Sequence, residues 1–144
     1  MRRAIFLFVI ANLAFFSSTL RSQTQTQNPV SAAAEPPQVI EVSSKKFEFS
    51  PNEIRVKKGT RVQLKLRTDD SAHGLKLSLY PEGAAKKGDP GLLFDRPQGN
   101  AKVKKGQESI IEFFAVRAGI YDFKCSVQCG SGHRRMTGKL IVEE

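Results

Sequence analysis

The sequence is poor in the side chains that bind soft metals. Its 144 residues include 2 cysteines, 2 histidines, 2 methionines and no tryptophan. The length excludes a multidomain enzyme, and 11 glycines and 7 prolines exclude a collagen-like or low-complexity chain. A hydrophobic fraction of 40% is enough for one core without disulfide staples. One ordinary globular domain is therefore expected.

The chain is basic, with 23 Lys and Arg against 14 Asp and Glu, a formal net charge of +9. Such a charge would allow nucleic acid, anionic lipid or an acidic protein as partner, and by itself it does not choose among them. Nucleic-acid binding is not expected, because the chain shows no aromatic stacking platform and its N-terminus indicates export.

The N-terminus has the layout of an export signal. Arg2 and Arg3 precede an uncharged apolar run over residues 4–16, which is followed by small polar residues. We predict a signal peptide over residues 1–22, with an uncleaved membrane anchor as the alternative. In both cases the rest of the chain is exported, either free in the periplasm or held at the outer face of the cytoplasmic membrane.

Residues 23–37 (QTQTQNPVSAAAEPP) have no apolar period and are rich in Gln, Thr, Ala and Pro, which is typical of a flexible linker. From residue 38 to 144, short runs alternate apolar and polar side chains, as in Val62, Leu64 and Leu66. Turn residues separate these runs, and their number and spacing predict an all-β fold, a Greek-key β-sandwich of about eight strands. Residues 81–106 are read as a long, partly packed loop.

The chemistry is concentrated in residues 125–136, CSVQCGSGHRRM, between two predicted strands. This segment contains both cysteines, one of the two histidines and the internal methionine, while His73 stands just before another strand. Thiolate, imidazole and thioether form the soft ligand set that favours copper. Zinc sites seldom use methionine.

At these residues the sequence resembles the cupredoxins, specifically the CuA domain of cytochrome c oxidase subunit II and of nitrous oxide reductase. The resemblance covers about Val39 to Val142. Its first motif is FxFxPxxIxVxxG over residues 47–59. It continues through His73 and the CxxxCGxGHxxM loop. The loop spacing is highly specific, whereas the opening motif alone indicates only a cupredoxin.

The resemblance implies a binuclear CuA centre of two copper ions that carries out one-electron transfer. Two thiolates would bridge the ions, each ion would take one imidazole, and a thioether and a backbone carbonyl would bind weakly. The implied partner is a redox protein such as a cytochrome c or a terminal oxidase subunit, and the chain is not expected to be an enzyme by itself. The implied ligands are His73, Cys125, Val127 (carbonyl), Cys129, His133 and Met136.

The sequence also departs from the family. Oxidase subunit II usually carries a carboxylate where Val127 stands, an exposed tryptophan cluster for electron entry, and a transmembrane hairpin before the copper domain. This chain has no tryptophan and one short apolar segment. Electron entry from a cytochrome by the tryptophan route is therefore not expected.

Three alternatives stay open from the residues alone. Cys125 and Cys129 could form a disulfide in an oxidising compartment. A mononuclear type 1 site could use the other four side-chain donors and leave Cys125 as a spare thiol. The same ligands could also serve copper storage or delivery. A further hypothesis is that Arg134 and Arg135, between two of the ligands, dock an acidic redox partner.

Overall fold

The computed structural model describes residues 35–96 and 99–144. The predicted signal peptide and nearly all of the predicted linker lie outside these residues. Within the described part of the chain, no helix has the length and apolar character needed to cross a membrane.

The described residues form ten strands and one turn of 3-10 helix, His133–Arg135. The predicted all-β sandwich is confirmed. In chain order the strands are β1 (Gln38–Lys45), β2 (Glu48–Ser50), β3 (Glu53–Lys57), β4 (Arg61–Thr68), β5 (His73–Leu77), β6 (Leu92–Phe94), β7 (Asn100–Val103), β8 (Glu108–Ala115), β9 (Gly119–Lys124) and β10 (Thr137–Glu143).

Two five-stranded sheets build the sandwich. The first has the order β2-β1-β4-β8-β6, and the second has the order β3-β10-β9-β5-β7. β1 runs parallel to β4 and β3 runs parallel to β10, while the other neighbours are antiparallel. Neighbours that are distant in sequence therefore lie side by side, as in a Greek-key arrangement.

The alternation of apolar and polar residues along the strands explains how the two sheets pack against each other. In β4 every second residue is buried, and Val62, Leu64 and Leu66 are each 0% exposed. Their neighbours on β8 include Phe113, which pairs with Val62 and is also 0% exposed. Because successive side chains of a strand point to opposite faces, this period places one face of each sheet in a shared core.

The strand count exceeds the expected number because two short strands come from residues 81–106. β6 has three residues and β7 has four, and each pairs with one neighbour at an edge of its sheet. The prolines and glycines around them mask such short runs in the sequence. The interpretation of this whole region as a loop was therefore wrong in part.

The second sheet positions the chemistry-bearing residues. β5 begins at His73, β9 ends just before Cys125, and β10 begins just after Met136. Because β9 lies between β5 and β10, these three points meet at one end of the sandwich. The backbone N–H of Cys125 donates to the carbonyl of Met136 at 2.9 Å and closes the base of the loop.

Candidate metal centre

His73 is the donor that the scaffold holds most firmly. It opens β5 and its side chain is 0% exposed. Its Nδ1 lies 3.9 Å from the sulfur of Cys125, and its Nε2 lies 2.9 Å from Oδ1 of Asp70. The two ring nitrogens therefore face different groups, a sulfur on the inside and a carboxylate on the outside.

Asp70 sets the tautomer of His73. Partial burial raises the pKa of Asp70, but the backbone N–H groups of Ser71 and Lys46 and the His73 ring stabilise the carboxylate. The net result is a pKa well below the ordinary range, so this group is a carboxylate at neutral pH. A carboxylate only accepts hydrogen bonds, so Nε2 of His73 carries the hydrogen and Nδ1 presents its lone pair to the sulfur.

The two cysteines are free thiols at the centre of the cluster. Their sulfurs are 3.9 Å apart, whereas a disulfide needs about 2.05 Å. The Cys125 sulfur also lies 3.2 Å from the backbone carbonyl oxygen of Val127. Both residues are buried, with 3% exposure for Cys125 and 8% for Cys129.

Cys129 has its own pair of neighbours. Its sulfur lies 3.8 Å from Nδ1 of His133 and 3.9 Å from the thioether sulfur of Met136. Met136 is fully buried, whereas His133 is half-buried. The His133 end of the cluster is therefore closer to solvent than the His73 end.

Burial raises the pKa of the Cys129 thiol, and the proximity of Cys125 raises it further. The thiolate is the form that binds a metal. A cation that binds between these sulfurs must therefore displace protons, and its affinity rises with pH.

Glycine shapes the loop over residues 125–136. Gly130 has a φ of 131°, a backbone conformation that side chains disfavour. The ring of Phe47 lies so close to Gly132 that an added Cβ there would be 2.1 Å from the ring atom Cδ2. Phe47, on the turn between β1 and β2, therefore packs directly on the loop and holds it against the sandwich.

The donor set fits copper by both chemistry and spacing. Metal–sulfur and metal–nitrogen bonds are about 2.3 and 2.0 Å long, so two donors can share one ion only within roughly 4.3 to 4.6 Å. The distances of 3.8 to 3.9 Å around the two sulfurs satisfy this limit. The side chains of His73, Cys125 and Cys129 have ligand atoms all within 4.8 Å of one another.

The structure brings all the residues expected to be ligands to one place. Asp70 and Phe47 are the neighbours for which the sequence analysis predicted no role in the cluster. For Asp70 the available signal was its position three residues before His73. Arg134 and Arg135 are exposed on the 3-10 turn. The gathered residues are His73, Cys125, Val127, Cys129, His133 and Met136.

A two-sheet sandwich with buried thiols, imidazoles and a thioether at one end defines a class of small β proteins suited to copper. The sequence matches the family described as cupredoxin-like domain over residues 5–142. This chain belongs to that family.

Two relatives described as cytochrome c oxidase subunit 2, both from Thermus thermophilus, are each 29% identical to the chain over 98 residues. The match covers 68% of this chain and 60% and 48% of those proteins, so the chain spans about half the length of these relatives. They confirm the predicted resemblance to oxidase subunit II.

Solved structures share the fold. The periplasmic domain of subunit II of cytochrome oxidase from Bradyrhizobium japonicum has a TM-score of 0.55 at 15% identity, covering 76% of this chain and 86% of that one. Auracyanin from Roseiflexus castenholzii has a TM-score of 0.56 at 18% identity, covering 76% and 100%. A heme-copper terminal oxidase chain has a TM-score of 0.54 at 21% identity, covering 77% and 68%.

Proposed function

We propose that this chain is an exported electron-transfer protein with a binuclear CuA centre of two copper ions. The cupredoxin-like family, the similarity to oxidase subunit II and the adjacent histidine and cysteines support copper electron transfer. The binuclear form is the finer part of the proposal.

One observation carries the binuclear form: the cluster divides into two similar halves. Cys125 has one imidazole Nδ1 and one weak donor nearby, namely His73 at 3.9 Å and the Val127 carbonyl at 3.2 Å. Cys129 likewise has His133 at 3.8 Å and the Met136 thioether at 3.9 Å. The two sulfurs, 3.9 Å apart, join the halves.

A mononuclear copper site would leave one of these donors unused. It would omit Cys125, although this sulfur lies beside Nδ1 of His73. The donors within 4.8 Å of one another are His73, Cys125 and Cys129, and His133 is next to this group through Cys129. Two ions bound by both thiolates would use every donor, and this favours a binuclear centre over a mononuclear one.

The protein residues supply a largely buried donor set. Copper, when bound, supplies a one-electron redox couple. The thiolates of Cys125 and Cys129 hold negative charge between the two halves, and Asp70 keeps the His73 ring in one orientation. Since both cysteines and Met136 are buried, few donors can move or exchange with water when the charge changes. Small rearrangement favours fast electron transfer.

The cellular setting belongs to the same proposal. The chain would act on the periplasmic side, as a free carrier or a peripheral subunit of an oxidase-like complex. Its redox partner would be a cytochrome c or a terminal oxidase subunit. The proposed organisation is a signal peptide or anchor over residues 1–22, a linker over 23–37 and the copper domain over 38–144.

The decisive measurement is copper stoichiometry with an EPR spectrum of the oxidised, copper-loaded protein. We expect two coppers per chain and hyperfine lines from one unpaired electron shared by both ions. One copper with a blue mononuclear spectrum would reject the binuclear centre. Rapid loss of copper to a chelating acceptor during redox cycling would favour storage or delivery over electron transfer.

Variants of the loop sharpen this test. Cys125→Ser should abolish the shared-electron spectrum, because one of the two joining sulfurs is lost. Val127→Ala is the matched control in the same loop, since its expected donor is the backbone carbonyl and not the side chain. It should keep two coppers. A Cys125→Ser protein with an unchanged spectrum would contradict the proposal.

A further inference from the structure

Two lysines face each other on the outer side of the second sheet. Lys76 on β5 is directly opposite Lys124 on β9, and both are exposed. Like charges directly opposite on neighbouring strands destabilise a sheet. Among the described residues, neither lysine forms an ion pair. The fold therefore tolerates a local repulsion that it does not neutralise internally.

These lysines border a groove of about 680 Å³. Lys86 lies at the same groove, and Leu79 (40% exposed) and Tyr80 give it an apolar part. Asp122 is the one carboxyl group in its lining, and burial together with the neighbouring Glu82 raises the pKa of this group. We call this surface the lysine groove and define it by Lys76, Lys86, Lys124, Leu79 and Tyr80.

The lysine groove lies beside the metal cluster. Lys124 immediately precedes Cys125, and Lys76 follows His73 by three residues on the same strand. Nearer the cluster, the small residues Gly74 and Ser126 are neighbours, with the Ser126 N–H donating to the Gly74 carbonyl at 3.3 Å. A Cβ on Gly74 would lie 2.3 Å from the Ser126 hydroxyl oxygen. Gly74 and Ser126 therefore pack closely at the cluster end of β5.

The two arginines on β4 of the first sheet, in contrast, are paired with carboxylates. Arg61 forms ion pairs with Asp95 and Glu112, and Arg67 forms an ion pair with Glu108. Arg61 and Arg67 are thus neutralised by carboxylates, whereas the two lysines beside the cluster lie directly opposite each other without an ion pair among the described residues.

We propose that the lysine groove docks a protein partner with an acidic surface, which exchanges electrons with the centre. This inference rests on the proposed function and names the chemistry of its partner. Complementary charge guides such encounters, and an apolar centre bordered by charge is the usual anatomy of a protein interface. A concave, partly apolar groove fits protein side chains better than the plane of lipid headgroups.

The test compares two double charge reversals in the copper-loaded full chain. Lys76→Glu/Lys124→Glu alters the groove, and Lys57→Glu/Lys65→Glu is the control with the same change in net charge. Lys57 on β3 and Lys65 on β4 are also strand lysines without an ion pair in the described part of the chain. The probes are the acidic soluble domain of cytochrome b5 and vesicles containing phosphatidylglycerol.

We expect the groove variant to bind cytochrome b5 at least about tenfold more weakly at low salt, with a flatter salt dependence. The control should lose less than about threefold, because a distant charge acts only through the screened net field. Equal losses in the two variants would overturn the proposal. Loss of vesicle binding without loss of cytochrome b5 binding would also overturn it, in favour of a membrane surface.

Failure of the docking inference is distinguishable from failure of the proposed function. Copper stoichiometry and the EPR spectrum should be the same in both lysine variants and in the unaltered protein. If the spectra were those of a binuclear centre but the two lysine variants lost the same binding, only the docking role of the lysine groove would be rejected. If the unaltered protein itself lacked two coppers per chain or the spectrum of a shared electron, the binuclear centre would be rejected, whatever the docking results.

Discussion

The two halves of the candidate metal centre are built in different ways. The His73 half is anchored to regular structure, because His73 opens β5 and Cys125 directly follows β9. The His133 half lies within the loop, where His133 starts a single 3-10 turn. His73 is 0% exposed and hydrogen-bonded to Asp70, whereas His133 is half-buried.

One site can therefore combine a half that regular structure fixes with a half that solvent can reach. The sheet supplies rigidity to the His73 half through backbone pairing with β7 and β9. The loop half depends on packing, mainly that of Phe47 on Gly132. Mutations should therefore act through different physical causes in the two halves.

The largest expected effect comes from deleting each imidazole, with His73→Gly and His133→Gly. Each variant should bind copper more than about a hundredfold more weakly, since even a group that only contacts a ligand contributes 10–100-fold. Free imidazole should restore binding in His133→Gly, because this position reaches solvent. It should not do so in His73→Gly, whose cavity is closed off.

Copper titration against a competing chelator, with and without imidazole, measures this contrast. If free imidazole restored copper binding equally in the two variants, the two halves would not differ in their accessibility to solvent. The unaltered protein with imidazole is the control for direct competition by the added ligand.

An intermediate effect is expected from Gly132→Ala. The added Cβ would come within 2.1 to 2.8 Å of three Phe47 side-chain atoms, so the loop or the ring has to move. Such overpacking costs about 1–3 kcal/mol, and it should alter the EPR spectrum through His133 and not through His73. Urea unfolding of the copper-free protein gives the free energy.

The double variant Phe47→Ala/Gly132→Ala is the control for that steric cause. Removing the ring should relieve the contact and bring the spectrum back towards that of Phe47→Ala alone. A double variant as perturbed as Gly132→Ala would mean that the backbone of the loop, and not the ring, limits this position.

The smallest effect is expected from Asp70→Ala in the copper-free protein. Partial burial raises the Asp70 pKa, but the hydrogen bonds from Ser71, Lys46 and His73 outweigh it and lower the pKa in the folded state. The stabilisation is therefore present above the ordinary pKa of about 4 and is lost as the pH falls below it. We expect a loss of about 1–2 kcal/mol near neutral pH, discounted for partial exposure.

Urea unfolding near neutral pH and at about pH 3 checks the sign, since the difference between Asp70→Ala and the unaltered protein should shrink in acid. A difference that grows in acid would contradict this account. Asp70→Asn keeps the shape without the charge and should fall between the two proteins.

Much of the architecture was predictable because it depends on short-range patterns. The alternation in β4 predicts a half-buried strand, and β4 buries Val62, Leu64 and Leu66. The short strands β6 and β7 were missed, because runs of three or four residues between prolines and glycines are too short to show an alternating pattern. Their pairing with β8 and β5 is a long-range event that no local pattern reports.

The amino-acid sequence alone specifies which donors this protein has and how they are spaced in the loop over residues 125–136. Which donor lies next to which sulfur depends on the folded sandwich, because His73 and Cys125 are 52 positions apart in the chain. The same holds for the pairing of Lys76 with Lys124. The spacing of residues within a loop is fixed by the covalent chain, whereas contacts between distant strands depend on how the whole sandwich packs its core.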